Sequence, residues 1–264
     1  MKTVTLDGKF AMHRGGFIES PVLAYETWGE LSAAKDNAVL IFSGLSPSAH
    51  AASSALDPSA GWWEDMIGAG LPLDTNRFFI ICVNSLGSCF GSTGPASINP
   101  ATGKVYRLDF PTLTLEDVAE AAYGVVQHLG IEQLLSVVGC SMGGMSALAF
   151  CVRHAEASRT LVSISSATRA EPFAIGVRSL QRELIRSDSN WADGNYGKDT
   201  PPIVGQRLAR KLGMITYRSA KEWEQRFGRE RATDQREPGD PFKFDFSVES
   251  YLQSHAEKFS GAFD

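Results

Sequence analysis

Unbroken apolar runs alternate with amphipathic stretches over the first two thirds of the chain. Ala38-Val-Leu-Ile-Phe-Ser43 and Arg77-Phe-Phe-Ile-Ile-Cys-Val-Asn84 are bounded by polar turns, and 134–139 and 160–165 repeat the pattern. Short continuous runs rich in β-branched side chains predict parallel strands covered on both faces. Val22-Leu-Ala-Tyr-Glu-Thr27 alternates loosely, which predicts a strand with one wet face. Thr114-Leu-Glu-Asp117 predicts a helix start, with a Thr cap and an acid three residues on. The stretch that follows sets Val118, Ala121, Ala122, Val125 and Leu129 on one face before Gly130 ends it. A second helix is expected over 142–154.

The pattern changes near residue 170. Helical periodicity runs over 171–187, 202–212, 219–227 and 246–259, separated by polar, turn-rich stretches at 188–200 and 228–240. No strand is expected after Ser165, and no internal repeat is visible. The expected organisation is an α/β core with a mostly parallel sheet over 1–170, then a helical segment over 171–264 that covers something.

Composition narrows the class. At 264 residues with 43% hydrophobic and 21% charged residues, the chain is globular rather than disordered. A net charge of −5 argues against nucleic acid as partner, because phosphate binding needs a basic surface. No apolar run approaches the ~20 residues of a membrane helix, and the first residues lack a secretory apolar stretch. Cys82, Cys89, Cys140 and Cys151 form no CxxC pair, and the histidines have no zinc-ligand spacing. Free thiols, no metal and a cytoplasmic enzyme are expected.

The strongest chemical signal is Gly139-Cys140-Ser141-Met142-Gly143-Gly144, a G-x-S-x-G pattern between an apolar strand and a helix. Small neighbours let the backbone turn sharply and present Ser141 as a nucleophile at a helix N-terminus, where free N–H groups favour an oxyanion. The Met142 N–H is the natural first donor. The second belongs to the loop after an earlier strand, Gly44-Leu45-Ser46-Pro47-Ser48-Ala49-His50, with Leu45 N–H as candidate. The plainer alternative is a glycine-rich turn with a capping serine. His50 reads as a loop histidine satisfied by backbone rather than as a proton-transfer group.

Longer stretches extend the picture. Tyr25-Glu-Thr-Trp-Gly29, Gly44–Ala51, Gly61-Trp-Trp63, the Asn84–Pro95 loop, the Ser141 motif, Arg178-Ser-Leu-Gln-Arg-Glu183 and Ala209-Arg-Lys-Leu-Gly-Met-Ile-Thr-Tyr-Arg218 line up with one family. The chain resembles the homoserine O-acetyltransferase family of α/β-hydrolase-fold acyltransferases, most of all its serine and homoserine O-succinyltransferase branch. Cys140 departs from the Gly or Asn usual there, although a small side chain is kept.

The resemblance implies an α/β-hydrolase fold with a helical lid and a two-step acyl transfer. Ser141 takes the acyl group from an acyl-CoA, a substrate rather than a bound cofactor, and passes it to the hydroxyl of a small amino acid. It implies Arg178 as the acyl-CoA selector, where a buried guanidinium would suit a succinyl carboxylate, with a surface lid arginine as the alternative. It further implies Arg210 as the ligand of the amino-acid carboxylate, with a solvated Arg207/Arg210 pair as the alternative. Ser46, Pro47, Ser48 and Ala49 correspond to the loop that selects the amino acid. The partners implied are succinyl-CoA, L-serine or L-homoserine with the loop favouring serine, and a second copy in a homodimer. An esterase or thioesterase and a non-catalytic interaction protein are the alternatives.

The acid and base are the gap. His154 follows Ser141 by thirteen residues on one expected helix, ~20 Å along its axis. His255 and the aspartates Asp188, Asp193, Asp199, Asp234, Asp240, Asp245 and Asp264 all fall in or between the late helices. The family places its acid and base after later core strands, so the expectation is that both, with the last core strands, are missing from the chain as given.

Overall fold

The computed structural model describes residues 1–197, 199–232 and 244–260, and Asp234, Asp240 and Asp264 lie outside them. The chain divides into two compact units, Met1–Arg169 and Ala170–Asp264.

Among the described residues of the first unit, six strands form one sheet: β1 (Lys2–Thr5), β2 (Val22–Trp28), β3 (Ala38–Phe42), β4 (Phe79–Val83), β5 (Ser136–Cys140) and β6 (Leu161–Ile164). The spatial order is β1-β2-β4-β3-β5-β6. β1 and β2 run antiparallel to their neighbours, and β4, β3, β5 and β6 are parallel. Every residue of β3 and β4 is buried, as their unbroken apolar runs require. Helices α1 (Leu115–His128) and α2 (Met142–Arg153) build the core on one face with Leu40, Phe42, Ile81 and Leu134. On the other face Ile41, Ile80 and Cys82 pack with Trp28, Ala51, Ala52 and Ile67.

The α1 start is as the pattern predicts. Thr114 and Asp117 form a reciprocal capping box, and Asp117 also accepts the His13 N–H at 2.6 Å. Leu129 caps the helix and Gly130 follows with φ +67°.

β2 differs from its expectation of one wet face. It lies between β1 and β4 and is buried on both sides, Glu26 included. The short strands also escaped the sequence pattern: β1, the hairpin Lys9–Ala11/Phe17–Glu19, and the pairs Ile67–Gly68/Leu73–Asp74 and Ile98–Asn99/Lys104–Val105. Each has two to four residues, too few for a period to show.

The second unit contains α3 (Pro172–Arg186), α4 (Ile203–Thr216), α5 (Ala220–Phe227) and α6 (Ser247–Ser260). α4 continues four residues past its expected end. Gly213 looks like a stop, but the helix passes through it because α3 crosses there, and a Cβ would sit 2.7 Å from Gln181 Nε2. Gln181 Nε2 then donates to the Ala209 carbonyl at 2.7 Å. No strand follows Ser165 among the described residues.

Candidate active site

The sheet order brings two loops together. β3 lies between β4 and β5, so the chain leaving β3 and the chain leaving β5 emerge side by side at the carboxyl edge. Ligand sites in open parallel sheets form at this edge. Phe42 pairs with Gly139 across the two strands, and the next residues enter the Gly44 loop and the Ser141 turn.

Ser141 occupies a strained elbow. Its φ is 55° and its ψ −122°, a region that costs a non-glycine residue on the order of 1–3 kcal/mol. Three neighbours hold it there. Its N–H donates to the Ile164 carbonyl of β6 at 2.9 Å, and its carbonyl accepts from Gly144 N at 3.0 Å and Met145 N at 3.3 Å. The motif glycines are required by space: a Cβ at Gly143 would lie 2.2 Å from the Phe42 carbonyl oxygen, and one at Gly139 would lie 2.2 Å from that of Gly143. The helix end is thus pressed directly onto the end of β3.

The Ser141 side chain is exposed, and its hydroxyl has no hydrogen-bond partner among the described residues. The Met142 N–H, in the first turn of α2, and the Leu45 N–H, in the neighbouring loop, are likewise unpaired among the described residues. Ser141 and both candidate donors therefore belong to two adjoining turns of the first unit. Cys140 is partly buried, which pushes its thiol above the ordinary value, so it is no thiolate rival to Ser141 at neutral pH.

The Ser46–Ala49 loop is well tied down. Ala49 is fully buried, and the Trp62 indole N–H donates to the Ser48 carbonyl at 3.0 Å. His50 is not satisfied by backbone alone. Its Nδ1 lies 2.9 Å from Oε2 of buried Glu26, and its Nε2 lies 2.9 Å from the Ser59 carbonyl oxygen. The sequence signal for this pair was a carboxylate in the middle of a strand that is otherwise buried.

The two arginines belong to the second unit. Arg178 is exposed, not buried as expected, because α3 buries none of its residues. Its guanidinium donates to Gln181 Oε1 at 2.8 Å, one turn on. Arg210 is half-buried rather than solvated: its guanidinium lies 4.4 Å from the centre of the Phe259 ring, and its Nε is buried without a partner. Arg207, one turn before, donates instead to Ser260 Oγ at 3.2 Å.

Four of the remaining titratable candidates make local contacts. His154 stacks on Tyr123 at 3.8 Å and meets Glu120 at 3.2 Å. The His255 ring lies tilted against Tyr251, with centroids 4.0 Å apart, and its Nδ1 lies 3.0 Å from that residue's carbonyl oxygen. Asp188 accepts from Gly205 N at 2.8 Å, and Asp245 lies 3.9 Å from Arg231.

A serine at positive φ, wedged between a parallel strand and a helix by glycines, is the nucleophile turn of one fold class. The chain belongs to the alpha/beta hydrolase fold family, whose sequence pattern matches residues 37–260. Within that family it is 56% identical to a serine O-succinyltransferase of Litchfieldella anticariensis, over 99% of this chain and 71% of that protein. The chain spans 71% of the length of that relative and 65% of a serine O-succinyltransferase of Xanthomonas oryzae pv. oryzae, to which it is also 56% identical. Among solved structures it is similar to the homoserine O-acetyltransferase from Bacillus anthracis, with TM-score 0.88 and 28% identity over 100% of this chain and 72% of that one. Esterase E22 is similar too, with TM-score 0.86 and 28% identity over 100% and 74%.

Proposed function

We propose that this chain is an acyl-CoA-dependent amino-acid O-acyltransferase that converts succinyl-CoA and L-serine to O-succinyl-L-serine and CoA. The observation that carries the reading is the Ser141 elbow with two unpaired N–H groups beside it, in a chain 56% identical to a serine O-succinyltransferase.

Ser141 Oγ attacks the thioester carbonyl. The tetrahedral oxyanion accepts the N–H groups of Met142 and Leu45, and a single donor of this kind is worth roughly 10²–10³ in rate. The C–S bond breaks, CoA leaves as the thiol with the proton given up by Ser141, and a succinyl ester remains on the enzyme. The serine hydroxyl then attacks that ester, and its proton returns to Ser141 Oγ. In this reading Ser46, Pro47 and Ser48 line the amino-acid side, and Ala49, fully buried, packs behind them. Arg178 takes the succinyl carboxylate and Arg210 the carboxylate of serine. The same reading makes the protein a cytoplasmic homodimer in cysteine or methionine biosynthesis.

The likeness to esterase E22 supports a second reading, in which water takes the acyl group. One experiment separates the two. After incubation with succinyl-CoA, the peptide carrying Ser141 should bear a succinyl ester, and L-serine should discharge it as O-succinyl-L-serine. Discharge at the same rate without serine favours the esterase. An adduct elsewhere, or none, overturns the acyl-enzyme.

A further inference from the structure

The loop that carries Leu45 ends on His50, and both ring nitrogens of His50 face acceptors. Nδ1 meets the Glu26 carboxylate and Nε2 meets the Ser59 carbonyl oxygen, each at 2.9 Å. A neutral imidazole has one N–H and satisfies one of them; imidazolium satisfies both. The Ser59 hydroxyl, 3.2 Å from Nε2, does not supply the missing proton, because it donates to Asp57 Oδ1 at 2.6 Å. Glu26 is 8% exposed and needs a compensating cation.

The surroundings agree. The charged groups around the ring are Glu26 on β2, Asp57 with Oδ2 at 3.8 Å, and Glu64 of the same long loop. The Met1 ammonium lies 3.7 Å from the other Glu26 oxygen. Cys82 of β4, opposite Glu26 in the sheet, is a buried thiol pushed up by burial and by Glu26, and stays neutral. Burial opposes charge on His50, but the bonds to Glu26 and Ser59 and the charges of Glu26 and Asp57 outweigh it, leaving the ring above its ordinary 6.5.

The clamp reaches the donor loop through short links. The His50 N–H donates to Ser48 Oγ at 3.2 Å, and Trp62 bonds both the Ser48 carbonyl, through its indole, and the His50 carbonyl, through its backbone N–H at 3.4 Å. We propose that His50 is a positioning residue: as an imidazolium it ties the Gly44–Ala49 loop to β2, and so holds Leu45 N–H and the Ser46–Ala49 segment beside Ser141. Its catalytic consequence rests on the acyl-transfer reading, but the tie itself does not.

Two measurements test it. In the first, the His50 ring is followed by nitrogen-15 NMR on the full chain, assigned by its loss in His50→Gln. Both ring nitrogens should carry protons at pH 6, with a titration midpoint above 6.5 that falls in Glu26→Gln. Amide exchange over 44–50, corrected for its intrinsic pH dependence, should rise about tenfold per pKa unit of lost coupling as pH passes the midpoint. His50→Gln should show the fast rate already at pH 6, while His13→Gln, at an exposed site, should leave it slow. A single protonated ring nitrogen at pH 6, or loop exchange indifferent to pH, overturns the proposal even if His50→Gln fails to fold. In the second, the rate of Ser141 succinylation at saturating succinyl-CoA should fall with the same midpoint, with little change in KM. An acylation rate flat across that midpoint while the loop loosens overturns the positioning role. If wild-type Ser141 takes no succinyl group but the first measurement holds, the acyl-transfer reading fails and the tie stands.

Discussion

The two units of this chain are held together in different ways. In the first, large side chains fill the space between sheet and helices: Phe42, Phe150, Leu40, Ile81 and Leu134 are fully or almost fully buried. In the second, the buried apolar side chains among the described residues are the small or flexible ones of Pro202, Ala209, Met214 and Ala256, while Phe173 is 76% and Val204 59% exposed. There the helices are joined by backbone closeness, with Gly205 and Gly213 of α4 against α3 and Gln181 bonded across. The sheet unit depends on side-chain volume and the helical unit on the absence of it. A deletion should therefore hurt most in the first, and an addition should be judged by what it meets.

The largest effect should come from Phe150→Ala. This ring packs edge-on to Phe42 at 6.0 Å and Tyr123 at 5.9 Å. Its removal should cost about 3–5 kcal/mol in urea unfolding of the first unit. A loss under ~1 kcal/mol would mean that volume does not dominate there.

Gly143→Ala comes next. Its Cβ would meet the Phe42 and Ser43 carbonyl oxygens at 2.2 and 2.5 Å, backbone atoms of a buried strand end that cannot turn aside. A cost near 3 kcal/mol is expected, at the upper end for overpacking, with loss of Ser141 reactivity toward an acyl donor. Wild-type stability and reactivity together would refute the wedge between α2 and β3.

Gly213→Ala should do least. Its Cβ meets Gln181 Nε2, the far end of a flexible side chain. The gain in helix propensity of about 1 kcal/mol offsets the lost Gln181 bond, itself worth about 1 kcal/mol. Unfolding midpoints within the error of wild type are expected. A cost like that of Gly143→Ala would erase the distinction between the two glycines.

Legibility followed the reach of the pattern. The apolar runs became β3, β4, β5 and β6, although β6, at the sheet edge, is exposed over 162–164 instead of covered on both faces, and the Thr114 cap and the Ser141 turn stand where the pattern put them. The two-residue strands were too short to register. α4 outran its expected end because a glycine reads as a stop unless a neighbouring helix occupies its open side. Arg178 was expected buried and is exposed, since its spacing in sequence says nothing of what covers α3. For His50, the resemblance marked the loop around it, but neither ring partner is adjacent in sequence.

The longer elements and the turn that presents Ser141 were legible in the chain alone. Both are written in spacings of two to four residues, where the chain's own geometry fixes which side chains share a face. The motif offered the β3 loop as the source of the second donor, but strand order set it beside Ser141, and packing alone put Glu26, 24 residues from His50, against its ring. Those pairings depend on strand order, which comes from burying both faces of the sheet at once and leaves no local trace in the chain.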